Sequence, residues 1–139
     1  MGFSSNLYQY FLDTSGSTYA TSPTSVKALH RTTPSGVAYN SSITLINTPN
    51  VVNYAKAHYN CDHLDGVELE DYGGAGTAGS HWETRIVNKE YMVGTVGDYM
   101  IISGFTLSLF EDMGWYIVDK SKAEYYGWGK GKESAYIRG

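Results

Sequence analysis

Cysteine is nearly missing from this chain. Cys61 stands alone in 139 residues, so no disulfide can close within it. In isolation such a thiol reads first as a small buried hydrophobe and second as half of a lost pair. Proline is scarce as well: three, against sixteen glycines and thirteen tyrosines. That balance fits many turns and irregular backbone better than a helical bundle. Positive charge is in deficit, with a net charge of -4 and a pI near 5.4, so there is no basic field to attract a phosphate backbone. Nucleic acid is therefore excluded as the expected partner. No apolar run approaches the roughly 20 residues of a membrane-spanning helix. The opening Met1-Gly2-Phe3-Ser4-Ser5-Asn6 lacks the cationic and apolar regions of a secretory leader, and the closing Tyr136-Ile137-Arg138-Gly139 lacks a lipid-anchor tail.

What is present is one domain's length of folded-protein composition, 42% hydrophobic and 17% charged. Phe3, Leu7, Tyr8, Tyr10, Phe11 and Leu12 suggest one or two helical turns. The Ser/Thr/Gly-rich stretch 13–25 reads as a loop, and alternation at Val37/Tyr39 and Ile43/Leu45 predicts short strands near 26–31 and 42–46. Thr48 as cap and Pro49 in the first turn predict a helix over about 49–59, ending near Asn60. Ser103 as cap and Gly114 as a left-handed terminator predict a second over about 104–113, followed by an extended apolar Trp115-Tyr116-Ile117-Val118. From Lys120 onward coil is expected. Asn40-Ser41-Ser42 is a glycosylation sequon, which matters only for a secreted protein. The fold class expected is α+β, irregular and loop-rich.

His81 is the residue with the sharpest chemical reading. A lone histidine is usually structural, but glycines and small residues precede this one, and Met92 follows eleven positions on within Tyr91-Met92-Val93-Gly94. Catalytic zinc sites use three protein ligands and a water, and an imidazole arriving from a loop completes such a set opposite two from a helix. Rival groupings exist. His58, Cys61 and His63 form H-x-x-C-x-H, which lacks a fourth ligand for a structural site. Glu68, Glu70, Asp71, Glu111 and Asp112 read as carboxylates on solvated loop or helix faces. The run Gly73-Gly74-Ala75-Gly76-Thr77-Ala78-Gly79 offers backbone freedom, not a phosphate cradle, because no Lys-Ser/Thr follows.

Taken in order, Gly2-Phe3-Ser4, Thr48-Pro49-Asn50-Val51-Val52, His58-Tyr59-Asn60-Cys61, Gly66-Val67-Glu68-Leu69-Glu70, Gly76-Thr77-Ala78-Gly79-Ser80-His81-Trp82-Glu83, Tyr91-Met92 and Phe110-Glu111-Asp112-Met113-Gly114-Trp115-Tyr116 resemble the leishmanolysin family, surface metzincin zinc peptidases. The resemblance runs from Gly2 to about Trp128. It implies that His81 is the third zinc ligand, Met92 the Met-turn methionine and Gly2 the glycine of H-E-x-x-H-x-x-G-x-x-H, with a long insertion between Gly2 and His81. Glu83 could steer substrate or a metal ligand, though a surface or capping charge is the simpler reading. The family's first two histidines and general-base glutamate have no counterpart here, and its cysteine richness is not matched.

The expectation is thus a single partial domain over 1–139, the C-terminal part of a metzincin catalytic domain. The upstream helix and sheet would lie outside it, leaving Phe3, Tyr8, Phe11 and Leu12 without packing partners and the chain marginally stable. It would be inactive alone, hold zinc weakly or not at all, and act on protein or peptide substrates only within the intact enzyme or beside a chain carrying the zinc helix. The family implies a location at the cell surface or outside the cell. The alternative is a non-catalytic pseudopeptidase that serves as a binding or cell-adhesion module.

Overall fold

The computed structural model describes residues 1–138. It is α+β, built on a three-stranded antiparallel sheet of order β1-β2-β3. The strands β1 (Thr24–Thr32) and β2 (Ala38–Ile46) form a hairpin in register from Thr24↔Ile46 to Thr32↔Ala38. Both run longer than their apolar alternation predicts, since the backbone ladder recruits Thr24, Ser25 and residues 38–41 regardless of side chain. A two-residue β3 (Val67–Glu68) pairs with the end of β2. Two helices, α1 (Pro49–Tyr59) and α2 (Gly104–Asp112), pack on each other. A 3-10 turn forms at Tyr8–Tyr10, and the tail is not all coil: a second 3-10 turn occurs at Lys120–Lys122 and a short α3 spans Glu133–Arg138.

Both helices fall where capping chemistry puts them, but α1 is capped differently. Thr48 makes no side-chain cap, and its Oγ1 is buried without a partner. The carboxylate of Asp112, from the end of α2, does the work instead. Its Oδ1 accepts from the Asn50 backbone N–H (3.2 Å) and side-chain amide (2.7 Å), and its Oδ2 from the Val51 N–H (3.0 Å). A negative charge at a helix N-terminus is favourable twice over, satisfying orphan donors and facing the positive end of the dipole. At α2 the expected cap forms, with Ser103 Oγ accepting from Phe105 N–H, and Gly114 turns left-handed at φ 70°. Asn60 ends α1 at φ 57°.

Phe105 is the hub of the core, with the rings of Tyr54, His58, Tyr59, Trp82 and Tyr126 around it at centroid distances of 4.8–6.3 Å. The N-terminal segment overturns one expectation. Phe3, Tyr8 and Phe11 are buried within this chain: Phe3 lies 4.8 Å from Trp82, and Phe11 meets Trp115 edge-on at 5.4 Å. Hydrogen bonds from Leu12 N to Met113 O, Trp115 Nε1 to Tyr10 O and Tyr116 Oη to Met1 O lash residues 1–12 to the strip after α2. Their partners come from the far end of the sequence, where no local pattern points. That strip is not a strand, and Ile117 is fully exposed.

Candidate functional site

Beyond β3 the sheet continues irregularly through three short segments. Leu69 bridges Trp82 antiparallel and Trp82 bridges Val93 in parallel. The ladder is Glu70 N to His81 O (2.9 Å), Glu83 N to Glu68 O (3.0 Å) and Trp82 N to Met92 O (2.9 Å). Trp82 is wholly buried toward the core, its indole N–H donating to Thr106 Oγ1 at 2.9 Å. Extended backbone alternates its side chains, so His81 and Glu83, both half-buried, lie on the opposite side.

The His81 ring is held by one bond. Nδ1 lies 3.0 Å from the carbonyl oxygen of Thr77. A carbonyl only accepts, so Nδ1 carries the proton and Nε2 presents its lone pair. Among the described residues Nε2 has no hydrogen-bond partner. The acceptor is placed by the glycine run: Thr77 and Ala78 N–H both donate to Gly74 O, and Gly74, Gly76 and Gly79 adopt left-handed φ of 68°, 104° and 69°. Tyr8 Oη clamps Gly79 O at 2.5 Å.

The Met92 turn is locked to this loop twice, through the Trp82–Met92 bond and through Gly94, where an added Cβ would sit 2.7 Å from Thr77 Cγ2. Glu90 fixes the turn from beneath. Fully buried, it accepts from Met92 N–H (2.5 Å) on one oxygen and from Ser103 N–H (3.1 Å) and Oγ (3.0 Å) on the other. Burial raises its pKa above the ordinary glutamate range, opposed by these bonds and one from Thr106. Met92 itself packs on the edge of the core.

The carboxylates are not the solvated set the sequence suggested. Glu68, Glu70 and Asp112 are buried. Glu68 pairs with Arg85 at 2.8 Å, and burial raises its pKa against that pull. Glu70 accepts from Tyr72 N–H and from the Thr84 hydroxyl. Glu83 receives Arg85 N–H at 3.0 Å, a turn-capping contact; burial lifts its pKa, and nearby Glu70 and Asp71 lift it further. One oxygen each of Glu70, Asp71 and Glu83 lie within 4.8 Å of one another. Among the described residues this is the one such gathering of metal-donor side chains, so His58, Cys61 and His63 do not come together. His58 packs at the end of α1 with Nε2 2.8 Å from Trp128 O, and Cys61 is buried and free. An apolar cleft walled by Leu29, Leu45, Leu64, Val67 and Ile86 includes neither His81 nor Met92.

Sequence reasoning missed Glu90 and Asp112 as organisers of the site's framework. Glu90 had one local signal, an acid two residues before the turn N–H it caps. Asp112 had none, since its partners lie 61 and 62 positions away.

The His81 loop and the Met92 turn thus interlock at one sheet edge, and comparison with known proteins gives the chain its family. The leishmanolysin family model matches residues 24–138. A leishmanolysin-like peptidase of Drosophila pseudoobscura pseudoobscura is 49% identical over 92 residues, 66% of this chain and 14% of that protein. A leishmanolysin homolog of Crithidia fasciculata is 45% identical over 98 residues (70% and 15%), and leishmanolysin of Leishmania major 38% over 100 (70% and 16%). The chain belongs to the leishmanolysin family of metallopeptidases. It spans only 14–16% of the length of these relatives.

Proposed function

We propose that this chain supplies the third zinc ligand, His81 through Nε2, and the Met-turn floor, Met92, of a leishmanolysin-type zinc endopeptidase. The observation that carries the reading is the bond from His81 Nδ1 to the Thr77 carbonyl. Metal-bound histidines commonly donate their other nitrogen to a carbonyl or carboxylate, which fixes the tautomer and ring orientation. A neutral imidazole with its outer nitrogen unengaged fits one corner of a tetrahedral site. When bound, zinc would supply a water acidified toward neutrality and a Lewis acid for the scissile carbonyl.

The residues of this chain have positioning roles. Thr77 holds the His81 proton at Nδ1, the Trp82–Met92 bond keeps the ring and the methionine in fixed relation, and Glu90 prevents the turn from sagging. Met92 lies under the imidazoles without ligating. Glu83 is a candidate to orient substrate, and the exposed Tyr91, Val96 and Tyr99 beyond the turn are candidates for the wall against which a peptide lies. H-E-x-x-H does not occur in these 139 residues. The remaining imidazoles and the general base are therefore assigned to protein outside this chain, and proteolysis to the complete enzyme. Its substrates are proteins or peptides. The same reading puts the protein at the cell surface or outside the cell; no helix among the described residues is long and apolar enough to cross a membrane.

Calorimetric zinc titration of the isolated chain tests this. A single imidazole lacks the chelate advantage, so binding should be weak, should vanish in His81→Ala, and should be accompanied by no peptide cleavage. Submicromolar affinity abolished by that change would overturn the weak binding expected of the isolated chain, and zinc-dependent peptide cleavage its inactivity. In the complete enzyme, His81→Ala should remove both bound zinc and cleavage; retention of both would overturn the ligand assignment.

A further inference from the structure

We propose that Asn40 is an N-glycosylation site and that its glycan lies over the uncovered outer face of the β1–β2 hairpin. Asn40-Ser41-Ser42 has the acceptor spacing, and no other asparagine in the chain is followed two places on by Ser or Thr. Position in the fold decides whether the folded chain can accommodate a glycan added to the sequon. Asn40 and Ser42 are both exposed, and alternation along β2 sets them on one face, while Ser41 turns to the other.

In the folded chain the amide is oriented so that an attached sugar fits. Asn40 Oδ1 accepts from Nδ1 of His30, its partner across the ladder, at 2.6 Å. Nδ2, the atom that would be modified, has no hydrogen bond among the described residues. Attachment leaves the Oδ1 carbonyl intact, so the His30 bond survives and directs the sugar outward. Around it, Ala28, Thr32, Ala38 and Ser42 are small and exposed, and among the described residues no element covers this part of the hairpin. A hairpin of two nine-residue strands with one such open face is a surface that a carbohydrate can lie along without displacing any side chain.

The chemistry is a group transfer from a lipid-diphosphate-linked oligosaccharide. Asn40 Nδ2 attacks the anomeric carbon; the C–N bond forms as the C–O bond to the diphosphate breaks. The diphosphate leaves with the electron pair, and Nδ2 gives up one proton. Nothing is oxidised or reduced. The inference rests on the surface or extracellular location proposed above, and the test removes that dependence by supplying the route. The protein is expressed in eukaryotic cells behind a known secretory leader, and both lysate and medium are assayed by peptide N-glycosidase digestion and mass spectrometry. One enzyme-removable glycan is expected on the peptide containing Asn40, absent in Asn40→Gln and Ser42→Ala and retained in Ser42→Thr. Because transfer occurs on the nascent chain, a variant that folds poorly still reports from the lysate. Leader-routed protein with an unmodified Asn40 peptide, or a glycan that persists in Asn40→Gln, overturns the proposal.

Discussion

Glu90 and Ser103 are joined by two hydrogen bonds through one carboxylate oxygen, from the Ser103 backbone N–H at 3.1 Å and its hydroxyl at 3.0 Å. The second Glu90 oxygen takes the Met92 N–H, so one buried carboxylate ties the Met92 turn to the start of α2. Replacing it with the isosteric Gln turns an acceptor into an NH2 group facing existing donors. Glu90→Gln should cost about 1–3 kcal/mol, the usual penalty for buried donors left unpaired. Urea unfolding gives the loss, and amide exchange at Met92 should accelerate more than at Leu109. Unchanged stability and exchange would remove Glu90 from this role.

The capping of α1 yields a paired prediction. Asp112→Ala removes the acceptor for the N–H groups of Asn50 and Val51 and should destabilise by about 0.5–2 kcal/mol. Thr48→Val, at the position a local reading would choose as the cap, should be neutral or stabilising, because Thr48 Oγ1 is buried without a partner. Denaturation midpoints in the reverse order would restore Thr48 as the cap.

These two cases mark how far the sequence could be read. Elements with local causes were legible: Pro49 and Asn60 bracket α1, Ser103 and Gly114 bracket α2, and Val37/Tyr39 with Ile43/Leu45 announce two strands, though not their full length or their pairing. For the candidate site the sequence offered His81 and Met92 as a pair; the Trp82–Met92 bond that joins their segments carries no local signal. What was hidden depends on partners distant in sequence. Phe11 is buried by Trp115, and Glu68 reads as a surface charge until Arg85 is folded against it at 2.8 Å. The Thr77–His81 bond spans only four residues, yet it follows from left-handed glycines whose φ values no composition specifies.

His58 makes the fold sensitive to acid. Burial lowers its pKa below the ordinary histidine range; the Trp128 carbonyl opposes that shift, and Lys130 adds to it. A histidine with a depressed folded pKa contributes stability that is present above its unfolded value, about 6.5, and lost as pH falls through the folded one. Stability should therefore decline on acidification below about pH 6.5. Glu68 and Glu90, with raised values, act in the opposite sense, contributing stability in acid that is lost as pH rises through their folded pKa. In His58→Phe the decline that begins below neutrality should flatten while the carboxylate contributions remain. An unchanged pH profile of the unfolding midpoint would assign the acid sensitivity to other groups.

Gly104 decides how closely the two helices approach. It opens α2 directly against Tyr54 of α1: a Cβ built at Gly104 would lie 2.2 Å from Tyr54 Cε2 and 2.4 Å from Cζ. Atoms cannot share that distance, so Gly104→Ala must push α1 away or drive Tyr54 off Phe105, whose ring it meets edge-on at 4.8 Å. Overpacking of this kind costs about 1–3 kcal/mol. Helix propensity favours Ala over Gly, by up to about 1 kcal/mol in a helix interior and less at this first position, so a net loss isolates the steric term from propensity. Because Ser103 beside it is bonded to Glu90, and Glu90 to Met92, the displacement should reach the Met92 turn. Gly104→Ala is thus expected to lower the unfolding midpoint and to shift the Met92 methyl resonance. The double variant Gly104→Ala with Tyr54→Leu, which removes the clashing ring atoms, should recover part of both changes. A lone Gly104→Ala that is as stable as the parent, with an unmoved Met92 signal, would mean the contact between α1 and α2 is looser than this geometry requires.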